Sequence, residues 1–577
     1  MHSPATQPRK VLVLDGDMIP ALAIARSLGS LGLAVDIASH LARPLAAHSR
    51  HVRQALQYPN PMLDESAFIA WIRHIAQQKS YTLIIPVTER TVVPFFRHRQ
   101  LLELLPVALP DNDSLGTALD KSSTFDLARK LDIPVPRGMN VQDTAQLTSV
   151  TVKALSFPIV VKPARSMGNG GQGIVQLAVD YAFDETQLFA KTHHALRYGD
   201  VILQEYFGGR GTGIELIADH GKIVYAFQHL RLHEVPLTGG GSSLRVSVPV
   251  EPVLLDAASK LMAALKWHGV AMVEFKWNAE TCDFRLMEIN GRFWGSLPLA
   301  VASGADFPAM LYELLTQGHI ATRPPARTGV YGRKLGSDLY WYEQVLRRNT
   351  PEELVSLPNN SQLIKDALLA FSPRHRFDAQ QWRDPLPGLI DLGHIAKNYA
   401  DRLVQLVGAR LFAWRQKRAW SGGAITARLR TAQAVLFVCY GNINRSALAG
   451  RYFSDRTAGM SIATKSAGFH TQSGRPADPN MVEIAKAKGI HLEALRSCTI
   501  DHATVEAVDL IFVMEKPHYD QIARDYPEAA DKTFLLNPAG EIDDPYGKST
   551  AVYKQCMQEV TASIDHLVNL LTNAKKM

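Results

Sequence analysis

Val435-Leu436-Phe437-Val438-Cys439-Tyr440-Gly441-Asn442-Ile443-Asn444-Arg445-Ser446 is the stretch on which the reading of the C-terminal region turns. Val435 to Val438 predicts a buried strand, and Ala447 to Phe453 predicts a helix. Between them, five residues separate Cys439 from Arg445. That spacing lets the backbone wrap a tetrahedral phosphate, with several N–H groups aimed at its oxygens. The loop opens a helix, whose N-terminal partial charge favours the same dianion. These donors favour the thiolate of Cys439, the nucleophilic form. Arg445 can clamp two phosphoryl oxygens and stabilise charge spreading over the transferring group.

On these residues the chain resembles the low-molecular-weight protein tyrosine phosphatases, from about Ala434 to Leu571. The resemblance implies an α/β domain with a parallel sheet and no cofactor. Cys439 is then the nucleophile that forms a phosphocysteine, and Arg445 binds the phosphoryl group. Tyr440, Gly441, Asn442, Ile443, Asn444 and Ser446 complete the phosphate loop, with Asn442 and Ser446 holding the loop and the thiolate. Asp543-Asp544-Pro545-Tyr546 supplies the distant acid the family needs. Asp544 is implied to protonate the leaving oxygen and later to activate water, and Tyr546 to line the pocket mouth. Ser466-Ala467-Gly468 and the strand Asp509 to Met514 fit the same family. Two positions depart from it: Asn444 stands where a second Cys is usual, and Ala447 where Pro is common. A protective disulfide from position 444 to Cys439 therefore cannot form, which leaves Cys439 open to oxidation. Ile443 points toward an aryl phosphate. A chance Cys-x5-Arg spacing on a structural loop is the competing reading. The preceding strand, the following helix and the distal Asp-Pro-Tyr, in the right order, weigh against it.

A second group of motifs lies upstream. Val160-Val161-Lys162-Pro163 ends a strand, and Ser166-Met167-Gly168-Asn169-Gly170-Gly171-Gln172-Gly173 follows at once. Glycines let a backbone approach phosphates without a Cβ clash, and Lys162 adds a point charge. Further along, Glu274, Glu288 and Asn290 sit near strand ends. They offer the hard oxygen ligands that Mg²⁺ takes beside ATP phosphates. Strand alternation puts Glu288 and Asn290 on one face. Taken singly, these residues read equally well as surface ion pairs and a strand-end lysine.

In their order they resemble the ATP-grasp superfamily, in particular its carboxylate–amine ligase and carbamoyl-phosphate-synthase-like branch, over about residues 10–320. The resemblance implies that Lys121, Lys162, Ser166, Gly168, Gly170 and Gly171 meet the nucleotide phosphates and that Glu205 marks the hinge near adenine and ribose. Glu274, Glu288 and Asn290 become the metal ligands, for Mg²⁺ or Mn²⁺, and Arg292 stabilises the acyl-phosphate stage. Arg231 to Arg245 is a candidate lid over the acceptor, with Arg231, Arg245 and Glu89 as candidate substrate contacts.

Bulk properties set the frame. A chain of 577 residues suggests roughly three to five domains or subdomains. Its 46% hydrophobic and 20% charged residues are those of a globular protein. No run of about 18 apolar residues suggests a spanning helix, and Met1 to Lys10 has no signal-peptide pattern. Cys282, Cys439, Cys498 and Cys556 show no zinc spacing and no disulfide framework. The expectation is a cytoplasmic protein. Of the net charge of +7, +6 lies between Leu389 and Arg430, so no broad basic face for nucleic acid is expected.

The predicted class is a multidomain α/β and α+β chain. A Rossmann-like subdomain (1–115) precedes an ATP-grasp domain (116–322), a mixed, largely helical connector (323–430) and the phosphatase domain (431–577). In the connector, Pro351, Pro358, Pro373, Pro385 and Pro387 read as breaks, and Ile395 to Trp420 as an amphipathic basic helix. Packing on its own domain is the commoner role for such a helix, and binding to an anionic membrane surface the rarer one.

The functional expectation is a bifunctional enzyme. Its ligase joins a small-molecule carboxylate to an amine, and its phosphatase acts on a phosphorylated metabolite of the same pathway. The alternatives are an independent ligase carrying a regulatory phosphatase for phosphotyrosine proteins, or an ATP-sensing module fused to a phosphatase. Oligomeric state is not legible.

Overall fold

The first apolar run forms the strand Lys10–Val13 inside a four-stranded parallel sheet. The strand order is Val52–Gln57, Ala34–Ser39, Lys10–Val13, Leu83–Ile85. Helices Ile19–Ser30 and Glu65–Lys79 make crossovers, as parallel strands require. The apolar run Val107–Leu109 makes only an isolated bridge to Ile84. Pro106 and Pro110 bracket it and have no N–H to extend a ladder.

The computed structural model of the protein describes residues 9–147, 155–165, 167–169, 174–348, 350 and 353–576. They fall into two units divided between Lys397 and Asn398. In the first unit, an antiparallel four-stranded sheet runs Gly138–Val141, Val201–Glu205, Ile159–Pro163, Asp180–Ala182. A seven-stranded sheet runs Asp283–Asn290, Gly269–Asn278, Arg210–Asp219, Lys222–Val235, Gly241–Val248, Tyr331–Arg333, His375–Phe377. Its last pair is parallel. One buried cluster joins Val11, Val13 and Leu22 to Ile217, Phe227, Trp294 and Phe307, so the parallel and seven-stranded sheets share a core.

Three expectations change here. The candidate lid Arg231 to Arg245 is mostly strand, with Arg231 opposite Arg245 in register. Arg231, His233, Ser243 and Arg245 point inward at strand period. Each meets a carboxylate: Glu274, Asp338, Asp338 and Asp378 respectively. A polar inward face of that kind reads as a loop in sequence. The stretch from 323 is not a connector throughout, because Tyr331–Arg333 and His375–Phe377 extend the large sheet. Finally, Pro385 and Pro387 do not break a helix but begin one, Pro385–Ser421. Proline is tolerated in the first turn, where N–H groups lack intrahelical partners.

The second unit holds a parallel sheet in the order Ala463–Gly468, Ala434–Cys439, Leu510–Val513, Thr533–Leu535. Helices Arg445–Arg456 and Thr550–Lys576 contribute to the core around Phe437, Phe453, Phe512 and Tyr553. The last turns of Pro385–Ser421 belong to this core. Trp420 Nε1 donates to Leu535 O at 3.1 Å, and Gln416 accepts from Leu535 N at 2.9 Å. Among the described residues, no helix is long and apolar enough to cross a membrane.

Candidate active sites

Val435 to Val438 are wholly buried, so the central strand delivers Cys439 to the C-terminal edge of the parallel sheet. That edge is where open α/β sheets bind ligands. Cys439 is 2% exposed. Its Sγ lies 3.0 Å from Ser446 Oγ and accepts from Asn442 N at 3.3 Å. Asn442 takes a left-handed φ of +49°. Its Nδ2 donates to Ser446 Oγ at 2.9 Å, and its Oδ1 accepts from Cys498 N at 2.8 Å. The loop packs so closely on Gly468 that a Cβ there would lie 2.7 Å from Tyr440 O. Gly441 O accepts from Arg475 at 2.6 Å. Asn444 is buried and precedes the helix that Arg445 opens.

Arg445 is 1% exposed. Its Nη1 donates to Glu515 Oε2 at 2.5 Å and to Ile542 O at 2.8 Å, and its Nη2 lies 2.9 Å from Asp544 Oδ2. Burial works against its charge, but Cys439, Asp544 and Glu515 outweigh it and raise its pKa. Tyr440 and Tyr546 are both largely exposed, and Tyr546 N donates to Asp544 Oδ1 at 3.2 Å. The structure thus brings Cys439, Asn442, Arg445, Ser446 and Asp544 together. Sequence reasoning missed Glu515 and its neighbour His518. Burial, then Arg445, pushes the pKa of His518 down to about 4. The signal was the position of Glu515, just past the end of the strand Leu510–Val513, on the same sheet edge as Cys439.

In the first unit, strand register places Glu274 opposite Glu288. Asn290 Nδ2 donates to Glu288 Oε1 at 3.2 Å, and Lys121 Nζ lies 3.6 Å from Glu288 Oε2. Lys162 is buried, with Nζ donating to Met287 O at 3.2 Å. Burial, with Lys121 adding to it, lowers the pKa of Lys162 to about 8. Burial would raise that of Glu288, but Lys121, Lys162 and Arg292 outweigh it and hold it near 2. Arg292 Nη2 donates to Glu89 Oε1 at 3.2 Å, so two residues singled out separately form one pair. A cleft is lined by Glu89, Lys121, Glu288, Asn290 and Arg292, among others.

Other expected residues lie elsewhere. Arg245 is fully buried, bonded to both carboxylate oxygens of Asp378 at 2.7 Å, and is a core ion pair rather than a substrate contact. Arg231 grips Glu274 through two bonds of 2.8 and 2.6 Å. Glu205 accepts from Ser156 N at 2.9 Å. Gly168 lies in a short strand, Met167–Asn169. Ser166, Gly170 and Gly171 lie outside the described residues. Glu274, Glu288 and the Asn290 amide are hard oxygen donors on adjacent strands, a set that fits a divalent cation. For Glu274 to serve, its pair with Arg231 must open.

Residues 434–577 match the family model "Low molecular weight phosphotyrosine protein phosphatase", and residues 197–335 match "ATP-grasp in the biosynthetic pathway with Ter operon". A protein-arginine-phosphatase of Geobacillus stearothermophilus is 32% identical over 24% of this chain and 95% of its own. The low molecular weight protein-tyrosine-phosphatase Etp of Escherichia coli is 34% identical over 21% of this chain and 82% of its own. A crystal structure of an L-amino acid ligase from Bacillus licheniformis aligns at 14% identity and a TM-score of 0.42. That alignment covers 54% of this chain and 75% of the ligase, and is too weak to weigh on chemistry. The ATP-grasp family uses ATP and a divalent metal. The upstream region matches an ATP-grasp family model over residues 197–335, and the C-terminal domain belongs to the low molecular weight phosphotyrosine protein phosphatases.

Proposed function

We propose that one chain performs two reactions in a single biosynthetic pathway, in the cytoplasm. The first is ATP-dependent joining of a small carboxylate to an amine, and the second is removal of a phosphate from a substrate or product of that route. The observation that carries the phosphatase half is the convergence of Cys439, Asn442, Arg445 and Ser446 with Asp544 from a distant loop. Cys439 Sγ attacks phosphorus while Asp544 protonates the departing oxygen, giving a phosphocysteine and an alcohol. Asp544 then takes a proton from water as the water oxygen attacks phosphorus, which releases phosphate and the thiolate. Arg445 and the loop N–H groups hold the charge of the transferring group.

For the ligase, the assigned order is transfer of the ATP γ-phosphoryl to the carboxylate, then attack by the amine with loss of phosphate. Lys121 and Lys162 face the nucleotide phosphates, and Arg292, oriented by Glu89, faces the acyl phosphate. Mg²⁺, with Mn²⁺ as a substitute, when bound would offset phosphate charge at Glu274, Glu288 and Asn290. The domain scheme is a Rossmann-like subdomain feeding an ATP-grasp domain. Joining the two activities in one chain raises the effective concentration of one site near the other.

Exposed Tyr440 and Tyr546 favour a second reading of the phosphatase, in which they flank an aryl phosphate and the partner is a phosphotyrosine protein. Assay of purified protein against phosphorylated metabolites and phosphotyrosine peptides separates the two. Faster release from metabolites supports the pathway reading, and faster release from peptides supports the regulatory one. Ligation with every phosphometabolite left intact would sink the shared pathway.

A further inference from the structure

Among the described residues, one group of three metal-ligating side chains lies apart from both centres: Asp219, His220 and His268. Asp219 ends the strand Arg210–Asp219. His220 and Gly221 form a two-residue hairpin turn with φ of +46° and +94°, the both-positive pattern of tight hairpins. His268 sits in the turn between helix Pro252–Ala264 and strand Gly269–Asn278. Gly221 N donates to Trp267 O at 2.7 Å, which ties the two turns together. A Cβ on Gly221 would lie 3.2 Å from Ala263 Cα, so the approach is close.

This backbone frame holds the two imidazoles face to face, with ring centres 4.4 Å apart and planes 19° apart. His268 Nδ1 lies 3.1 Å from Asp219 Oδ1 and His220 Nε2 lies 3.8 Å from the same oxygen. Yet His268 Nδ1 is buried and lacks the geometry of a hydrogen bond. Donors about 2.0–2.1 Å from a tetrahedral ion are roughly 3.3 Å from each other; the two imidazole nitrogens stand 3.1 and 3.8 Å from Asp219 Oδ1, and all three donors lie within 4.8 Å of one another. Two imidazoles and one carboxylate form the donor set of a borderline transition metal, whereas Mg²⁺ and Ca²⁺ take oxygen.

We propose that Asp219, His220 and His268 bind one zinc-class divalent cation, with a fourth position open to water. The ion pins the hairpin turn to the turn before Gly269. The site is distinct from the oxygen set at Glu274, which lies five residues beyond Gly269, about 17 Å along the strand.

The test is calorimetric titration of Zn²⁺ into the full chain with Cys439→Ser, which removes a competing thiolate, in excess Mg²⁺. The account expects a site that His220→Gln and His268→Gln each weaken at least about tenfold, with Asp219→Asn acting in the same direction. Zn²⁺ should also raise the melting temperature of the parent and not of the double His variant. Circular dichroism of the variants checks their fold, and Asp219→Asn tests the site if a His variant fails to fold. Equal Zn²⁺ affinity in parent and folded variants, or no binding by the parent, overturns the proposal.

Discussion

Arg445 Nη2 lies 2.9 Å from Asp544 Oδ2, while its Nη1 is bonded to Glu515 at 2.5 Å. The guanidinium therefore has one end anchored by Glu515 and Ile542 O, and one end facing the acid on the distal loop. Exchange of Asp544 for a phosphoryl oxygen at the free end leaves the anchor in place. That contact makes Glu515 a candidate positioning residue. Glu515→Gln should lower kcat/KM for para-nitrophenyl phosphate roughly 10- to 100-fold, the worth of a hydrogen bond to a charged group. An unchanged kcat/KM would remove Glu515 from the account.

Ser446 Oγ stands between Cys439 Sγ at 3.0 Å and Asn442 Nδ2 at 2.9 Å. Ser446→Ala should reduce thiolate stabilisation and slow turnover by roughly 10- to 100-fold. The loss should appear in kcat for para-nitrophenyl phosphate, with circular dichroism checking the fold. An unchanged kcat would show that the hydroxyl does not support the attacking sulfur.

His518 is buried beside Arg445, and its pKa falls from 6.5 to about 4. Above pH 6.5 the ring is neutral in both folded and unfolded chains and contributes nothing. Between 6.5 and 4 only the unfolded chain takes up the proton, so stability falls as pH falls, by on the order of 3 kcal/mol. Denaturant unfolding of the full chain at pH 7 and 4.5 should show a larger loss for the wild type than for His518→Gln. Equal losses would contradict the assignment.

Arg245 and Asp378 form a fully buried pair. Arg245→Ala strands a buried carboxylate and should cost about 3–5 kcal/mol of stability, read by denaturant unfolding. Loss of activity with unchanged stability would return Arg245 to the substrate site.

The grouping of Cys439, Asn442, Arg445 and Ser446 was legible because its parts are local. Strand, loop and helix follow one another from Val435 to Phe453, and Asp544 comes with its own Asp-Pro-Tyr signature. Glu515 carries no motif and joins the site only through sheet topology. The strands around Arg231 and Arg245 were hidden because their inward residues are polar. Their partners Asp338 and Asp378 lie more than 100 residues away from His233 and Arg245, so no periodicity announces them. The clustering of Lys121, Lys162, Glu288, Asn290 and Arg292 was legible from their order along the chain. The grip of Arg231 on Glu274 was not, because both residues were assigned to ligands and not to each other.

Hydrolysis of para-nitrophenyl phosphate by wild type, Cys439→Ser and Asp544→Ala tests the central claim most directly. The account predicts a competent wild type in reducing buffer, loss to background in Cys439→Ser, and a fall of roughly 10²–10⁴ in Asp544→Ala. Wild-type protein without activity, or Cys439→Ser with undiminished activity, would contradict it.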